Sequence, residues 1–213
     1  MSASEEPTIT KRLVLMGAAG VGKTALIQRL LCERFEHRHR RTVEDVYCLD
    51  VHSEDHHLHL EIVDTSGSYS FPAMQKLRIQ QGDAFALVFS LAELETFQEV
   101  ERLREEILRI KGKNAVPIVV VGNQIDRIPG LKLESGKHVA QQTSAIVELQ
   151  WQNGYMETSA KLNYKVQHVF EELLRRDNRQ CALSPTLERR RASMQPEPRK
   201  RQPRKKPNNC ILS

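Results

Sequence analysis

Arg12-Leu13-Val14-Leu15-Met16-Gly17-Ala18-Ala19-Gly20-Val21-Gly22-Lys23-Thr24 is the stretch on which the fold turns. It opens with a short apolar run that reads as a buried strand and closes on a glycine-rich segment matching G-x-x-x-x-G-K-[ST]. Apolar residues then recur at helical spacing (Leu26, Ile27, Leu30, Leu31), so a helix is expected over Thr24–Arg34. Strand, glycine turn and helix start form the context a phosphate-binding loop requires. The turn lets successive backbone N–H groups face one phosphate chain, and the helix N-terminus adds a favourable dipole. Lys23 is then placed for the terminal phosphates and the Thr24 hydroxyl for Mg2+.

Outward from this loop the chain alternates apolar strands with amphipathic segments. Val46–Val51 and His57–Val63 alternate apolar and polar residues and read as a hairpin. Phe85–Leu91 and Pro117–Val121 read as buried strands, and Tyr155–Thr158 as a short one. Helices are expected over Phe97–Ile110, Val139–Leu149 and Val166–Leu174. That alternation predicts an α/β domain with a mostly parallel sheet flanked by helices on both faces. The 213 residues, 39% hydrophobic and 28% charged, fit one domain plus a tail and exclude collagen, coiled coil and a wholly disordered chain. The longest apolar stretch, Ala84–Ala92, is about half of what a membrane-spanning helix needs.

Two further motifs follow strands. Asp64-Thr65-Ser66-Gly67 comes after Leu60–Val63, where an aspartate can hold Mg2+ and Gly67 can offer a backbone N–H to the last phosphate. Asn123-Gln124-Ile125-Asp126 comes after Ile118–Val121, where a carboxylate can accept both the ring N–H and the exocyclic amine of guanine. Glu157–Lys161 follows the last strand and can present a backbone N–H to the base carbonyl. All sit at carboxyl ends of expected parallel strands, where open α/β sheets bind ligands.

These motifs, in this order, resemble those of the Ras-like small GTPases, over about residues 10–176 and again at the C-terminus. The resemblance implies a P-loop NTPase fold that binds GTP and GDP with Mg2+. It assigns Gly17, Ala18, Ala19, Gly20, Val21, Gly22, Lys23, Thr24 and the adjoining Ala25 to the phosphate loop, and Phe35 to stacking on guanine. Thr42 becomes the switch I threonine that binds Mg2+ beside Thr24 and Asp64, and Asp64–Gly67 opens switch II. Asn123, Gln124 and Asp126 read guanine; Ser159, Ala160 and Lys161 close the base pocket. Lys23, Thr42, Gly67 and Ser68 form the catalytic set, and Thr42, Glu44, Asp45 and Tyr47 the effector surface. Asp64–Met74 is most similar to the branch containing Rhes and the dexamethasone-induced Ras protein.

The chain departs from that family at specific places. Ser68 stands where Ras proteins carry the glutamine that orients water, and a serine is too short for that task. Ala19 replaces a glycine and crowds the γ-phosphate. Gln124 replaces the lysine of N-K-x-D, and Arg40-Arg41 replaces an acidic-proline pair before Thr42. Nucleotide binding is expected to persist while hydrolysis slows. The expected protein is a monomeric switch with effector, exchange and activating partners, or else a constitutively GTP-bound or nucleotide-independent binding module, a scaffold on the same fold.

Charge divides the chain. Residues 178–213 hold ten Lys and Arg against Glu188 and Glu197, a net of +8, and five of the nine prolines. The whole chain carries +5, which leaves −3 for residues 1–177 (5 − 8). Residues 1–10 are expected to be a flexible N-terminus, 11–177 the folded domain and 178–213 a disordered basic tail. Cys210-Ile211-Leu212-Ser213 fits C-a-a-X with a farnesyl preference, and the basic run Arg199–Lys206 supplies a second membrane signal. An anionic membrane is therefore the expected partner of the tail: the cytoplasmic face of the plasma membrane, with a cytosolic pool. The tail lacks interleaved aromatics, so nucleic acid is not expected. Arg190-Arg191-Ala192-Ser193 reads as a phosphorylation site beside the basic cluster. His37 and His39, and His52, His56, His57 and His59 on the expected hairpin, are read as solvated residues rather than metal ligands, and Trp151 as a packing residue. Cys32, Cys48 and Cys181 read as ordinary reduced thiols.

Overall fold

The computed structural model describes residues 8–36, 44–52, 57–67, 72–112, 116–128 and 141–177. Thr42, Ser68, Ser193 and Cys210, with the expected hairpin turn, lie outside the described residues. Six strands, β1 (Thr8–Met16), β2 (Glu44–His52), β3 (His57–Thr65), β4 (Ala84–Ser90), β5 (Ile118–Asn123) and β6 (Gly154–Glu157), form one sheet in the order β2-β3-β1-β4-β5-β6. β2 runs antiparallel to β3, and every other pair is parallel.

Helices cover both faces of this sheet because β1 alternates its apolar side chains. Leu13 and Leu15 face one helical layer, made of α1 (Lys23–Cys32) and α5 (Val166–Arg176). Val14 and Met16 face the other, with α2 (Pro72–Gln81), α3 (Thr96–Lys111) and α4 (residues 141–150, whose last part, Ile146–Gln150, is a wider π turn). β4 and β5 are buried along their whole lengths, as strands covered on both faces must be. α3 turns Phe97, Val100, Leu103 and Ile107 to the core, the 3.6-residue period read from its sequence.

Three elements differ from expectation. β1 begins at Thr8, so Thr8–Thr10, assigned to a flexible N-terminus, form the first rungs against His57–His59. Backbone pairing, with Ile9 half-buried against the core, makes this part of the strand. Arg12 adds an ion pair to Glu61, Nη2 to Oε2 at 2.5 Å. α1 starts at Lys23 and stops at Cys32, two residues short of the Arg34 expected. Glu33 adopts left-handed backbone there (φ 55°) and its N–H donates to the Arg29 carbonyl, a common helix stop. α2 was not legible at all, because Ile79 is its single fully buried residue while Met74 and Leu77 are exposed.

Among the described residues, no helix is long and apolar enough to cross a membrane. His59 Nδ1 lies 2.6 Å from Asp50 Oδ1, and no described group of three His, Cys, Asp or Glu is arranged to hold a metal. Trp151 packs as expected of a structural residue, stacked on Phe97 at 5.6 Å between ring centres.

Candidate functional site

The crossover from β1 leads to one side of the sheet and the crossover from β4 to the other, so their carboxyl ends diverge and open a crevice. The loop after β1, Gly17–Gly22, lies there. Gly22 has φ 97°, and a Cβ at that position would overlap the Asn123 side chain. Only glycine combines the left-handed turn with that approach. Lys23, the first residue of α1, is buried, and its Nζ donates to the Gly17 and Ala18 carbonyls at 2.9 and 2.8 Å. Burial lowers its pKa from 10.5 to about 8, against the raising influence of Asp64 and Glu99. An ammonium desolvated this way and bridged, among the described residues, to the carbonyls of its own loop fits a ligand carrying negative charge.

The next residue supplies the second half of the site. Thr24 Oγ1 donates to Asp64 Oδ2 at 2.5 Å. Asp64, at the end of β3, is fully buried and its Oδ1 has no hydrogen-bond partner among the described residues. Desolvation raises its pKa, opposed by Thr24 and Lys23. A half-buried hydroxyl beside a buried carboxylate with an orphaned oxygen is the donor set a hard divalent cation takes, so these residues fit Mg2+. Two residues beyond β3, Gly67 runs against the phosphate loop so closely that a Cβ would overlap the Ala19 backbone nitrogen. Ala19 itself is exposed at the mouth of the loop.

The strands β5 and β6 build the third part. Asn123 Nδ2 donates to the Val21 carbonyl at 2.8 Å, while its Oδ1 accepts from Thr158 Oγ1 at 3.1 Å and the Ala160 N–H at 3.2 Å. One buried side chain therefore stitches the phosphate loop to the Ser159–Lys161 loop. Asp126 Oδ1 accepts from Ser159 Oγ at 2.6 Å, which fixes the carboxylate expected to read guanine. Gln124 Nε2 reaches the Gly20 carbonyl at 2.8 Å. Lys161 is exposed beside this pocket.

Arg29, which carries no motif, proves part of the same frame. Its Nε and Nη2 donate to the Ala160 and Lys161 carbonyls at 2.8 and 2.9 Å, and its guanidinium lies 6.0 Å from the Phe35 ring centre. Phe35, assigned to stacking on guanine, is half-buried against α1 and the core. Ala25, with one turn of α1, also packs on that core. Nothing in the sequence marked Arg29, because it acts through contacts made across 131 residues of chain; Thr158 lies in the expected Glu157–Lys161 motif, but its side-chain bond to Asn123 spans 35 residues.

The described effector residues split. Asp45 is exposed, Tyr47 is buried on the α1 side of β2, and Glu44 is gripped by Arg78 of α2 through Nε–Oε2 at 2.8 Å and Nη2–Oε1.

With phosphate loop, cation pair and base corner at one sheet edge, comparison with known proteins is decisive: the Ras family model matches residues 12–179. The chain belongs to the Ras family. It is 38% identical to GTP-binding protein Di-Ras2 of Mus musculus over 169 residues, which cover 79% of this chain and 82% of that protein. It is 37% identical to GTP-binding protein Di-Ras1 of Mus musculus over 185 residues, 86% and 89% of the two chains. The human Di-Ras1 match is also 37%, over 169 residues, 79% and 82%. These relatives are Di-Ras proteins rather than members of the Rhes branch that Asp64–Met74 resembles. The fold is that of a small GTPase, a family that binds guanine nucleotides.

Proposed function

We propose that this Ras-family protein is a membrane-anchored GTP/GDP switch that needs Mg2+ and hydrolyses GTP slowly on its own. The observation that carries the reading is the Thr24–Asp64 pair, with its orphaned Oδ1, beside the partly desolvated Lys23. Thr24 and Asp64 would hold Mg2+, which neutralises phosphate charge when bound. Lys23 and the Gly17–Gly22 N–H groups would bind the phosphates, and Asp126, held by Ser159, would accept the guanine donors. Thr42 and Gly67 would sense the γ-phosphate and order the two switches, so that effectors meet the surface around Thr42–Tyr47 in one state.

Slow hydrolysis is argued from side-chain reach. Ser68 is too short to orient water from the glutamine position, and the Ala19 methyl occupies the mouth of the loop near the Gly67 backbone. The Cys210 farnesyl, carboxyl methylation that follows it, and the basic run Arg199–Lys206 would place the protein at the cytoplasmic face of the plasma membrane, with a cytosolic pool.

The test is the nucleotide released on denaturing the purified full chain, followed by single-turnover hydrolysis. Mostly GTP and a slow single turnover support the slow switch. Ser68→Gln together with Ala19→Gly should then raise the rate at least about tenfold. Mostly GDP with a rapid turnover overturns the slow-hydrolysis reading. GTP that persists unhydrolysed even with both substitutions favours a constitutively loaded binding module, the reading that Ser68 and Ala19 also support. Cys210→Ser should move the protein from the membrane fraction to the soluble one.

A further inference from the structure

Arg127 has no place in the site as built so far. It ends the 3-10 turn Ile125–Arg127 that follows β5, and its guanidinium points back onto Gln124. The Gln124 amide is committed at every end. Its Nε2 donates to the Gly20 carbonyl at 2.8 Å, and its Oε1 accepts from Ser90 Oγ at 2.8 Å and from Arg127 Nη1 at 2.9 Å. Two donors on one oxygen fix which way the amide faces. Turned over, it would set its own NH2 against a guanidinium, which carries only donors. Gln124 also stands in left-handed backbone, φ 64°, which aims it across the loop. Ser90 is buried at the end of β4, and Arg127 is in turn paired with Glu93 at 3.1 Å. The ends of β1, β4 and β5 thus converge on one amide.

We infer that Arg127 is a positioning residue for nucleotide binding: through the Gln124 amide it holds the Gly20 carbonyl and with it the phosphate loop. A cation on the oxygen end of an amide polarises it and strengthens the hydrogen bond its N–H makes. The neutral Gln124 therefore grips Gly20 with charge assistance that it does not itself carry. The role rests on the guanine-nucleotide reading of the site.

The experiment is the release rate of a fluorescent GDP analogue from the full chain in Mg2+, chased with unlabelled GDP. Four proteins are compared: wild type, R127A, Q124K and the double variant. R127A should release about three- to tenfold faster than wild type, the effect of losing one charge-assisted hydrogen bond at a half-open site. In the Q124K background an ammonium can donate to Gly20 directly, so R127A should change release by less than about twofold. Equal acceleration in both backgrounds would show that Arg127 merely supports the fold and would overturn the role. So would an R127A rate equal to wild type. A wild-type chain that takes up no labelled nucleotide overturns the nucleotide reading itself, and this role with it. If R127A is not recovered folded, Arg127→Met keeps the aliphatic stem and carries the same expectations.

Discussion

Thr24 Oγ1 sits 2.5 Å from Asp64 Oδ2 and closes a bond between the start of α1 and the end of β3, across 40 residues of chain. The other Asp64 oxygen is buried without a partner among the described residues, and burial raises the pKa of this carboxyl. A raised folded pKa means the folded state holds the proton more tightly than the unfolded chain. Stability of the nucleotide-free protein therefore falls as pH rises through that window. Asp64→Asn should raise the melting temperature of nucleotide-free protein while damaging the site. Chelating Mg2+ should speed GDP release from wild type by about tenfold or more, the usual cost of losing metal coordination, and by less than about threefold in D64N, which starts fast. Equal sensitivity to chelation in the two proteins would remove Asp64 from the cation site.

Lys23 gives the second prediction. Its pKa lies at about 8 in the free protein because burial outweighs the pull of Asp64 and Glu99. Bound phosphates favour the charged form. Affinity for GDP should be level from pH 6.5 to about 7.5 and then fall, by close to tenfold per unit, once the free protein must take up a proton to bind. The free fold follows the opposite course. The unfolded lysine binds more protons than the folded one between about 8 and 10.5, so stability of the free protein rises across that range. Titration calorimetry from pH 6.5 to 8.8 in buffers of different ionisation heat would count the proton. A Lys23→Met protein should bind weakly and without this slope.

The sole tryptophan should report folding and ignore the ligand. Trp151 stacks on Phe97 with 5° between the rings, Phe97 meets Phe89 edge-on at 5.1 Å, and the Arg104 guanidinium lies 4.7 Å above the indole. Arg104 is locked there by Asn153 Oδ1, 2.7 Å from its Nε. Trp151→Ala should cost about 2–3 kcal/mol, below the range for a wholly buried ring because Trp151 is only half-buried. Arg104→Ala should cost about 1 kcal/mol through the lost cation–π contact and hydrogen bond. Urea unfolding followed by Trp151 emission measures both. That emission should not change when GDP is added to folded protein.

The sequence made the strands legible wherever burial and backbone agreed. β4 and β5 are apolar throughout because both of their faces are covered, and that run is visible in one dimension. The candidate site was legible where one local turn builds it: Gly17–Thr24, Asp64–Gly67 and Asn123–Asp126, which the fold brings together. What stayed hidden depends on partners distant in the chain. Thr8–Thr10 are strand only because His57–His59 lie beside them. Arg29 holds loops that the topology brings to it, and Arg127 gains its place from an amide whose own partners lie on β4 and the phosphate loop. α2 escaped because it is moored by polar side chains, which leave no apolar period to count.

Those moorings carry the last prediction. Gln75 Nε2 donates to Glu106 of α3 at 2.7 Å, Arg102 reaches Gln75 at 3.2 Å, and Lys111 Nζ caps the Gln80 carbonyl at 2.6 Å. On the opposite side Arg78 clasps Glu44 of β2 with two nitrogens, both side chains about three-quarters covered or more. The fork joins the helix that follows Asp64–Gly67, the expected opening of switch II, to Glu44 of the expected effector surface. Arg78→Ala should cost about 1 kcal/mol, more than an open surface pair because the bonds are paired and partly shielded. A double-mutant cycle with Glu44→Ala should return most of that as coupling. Amide exchange in α2 should quicken in R78A, since Ile79 alone then fixes that flank of the helix to the core. Unchanged exchange in α2, with no coupling to Glu44, would reduce the pair to a surface contact and leave α2 held by α3 alone.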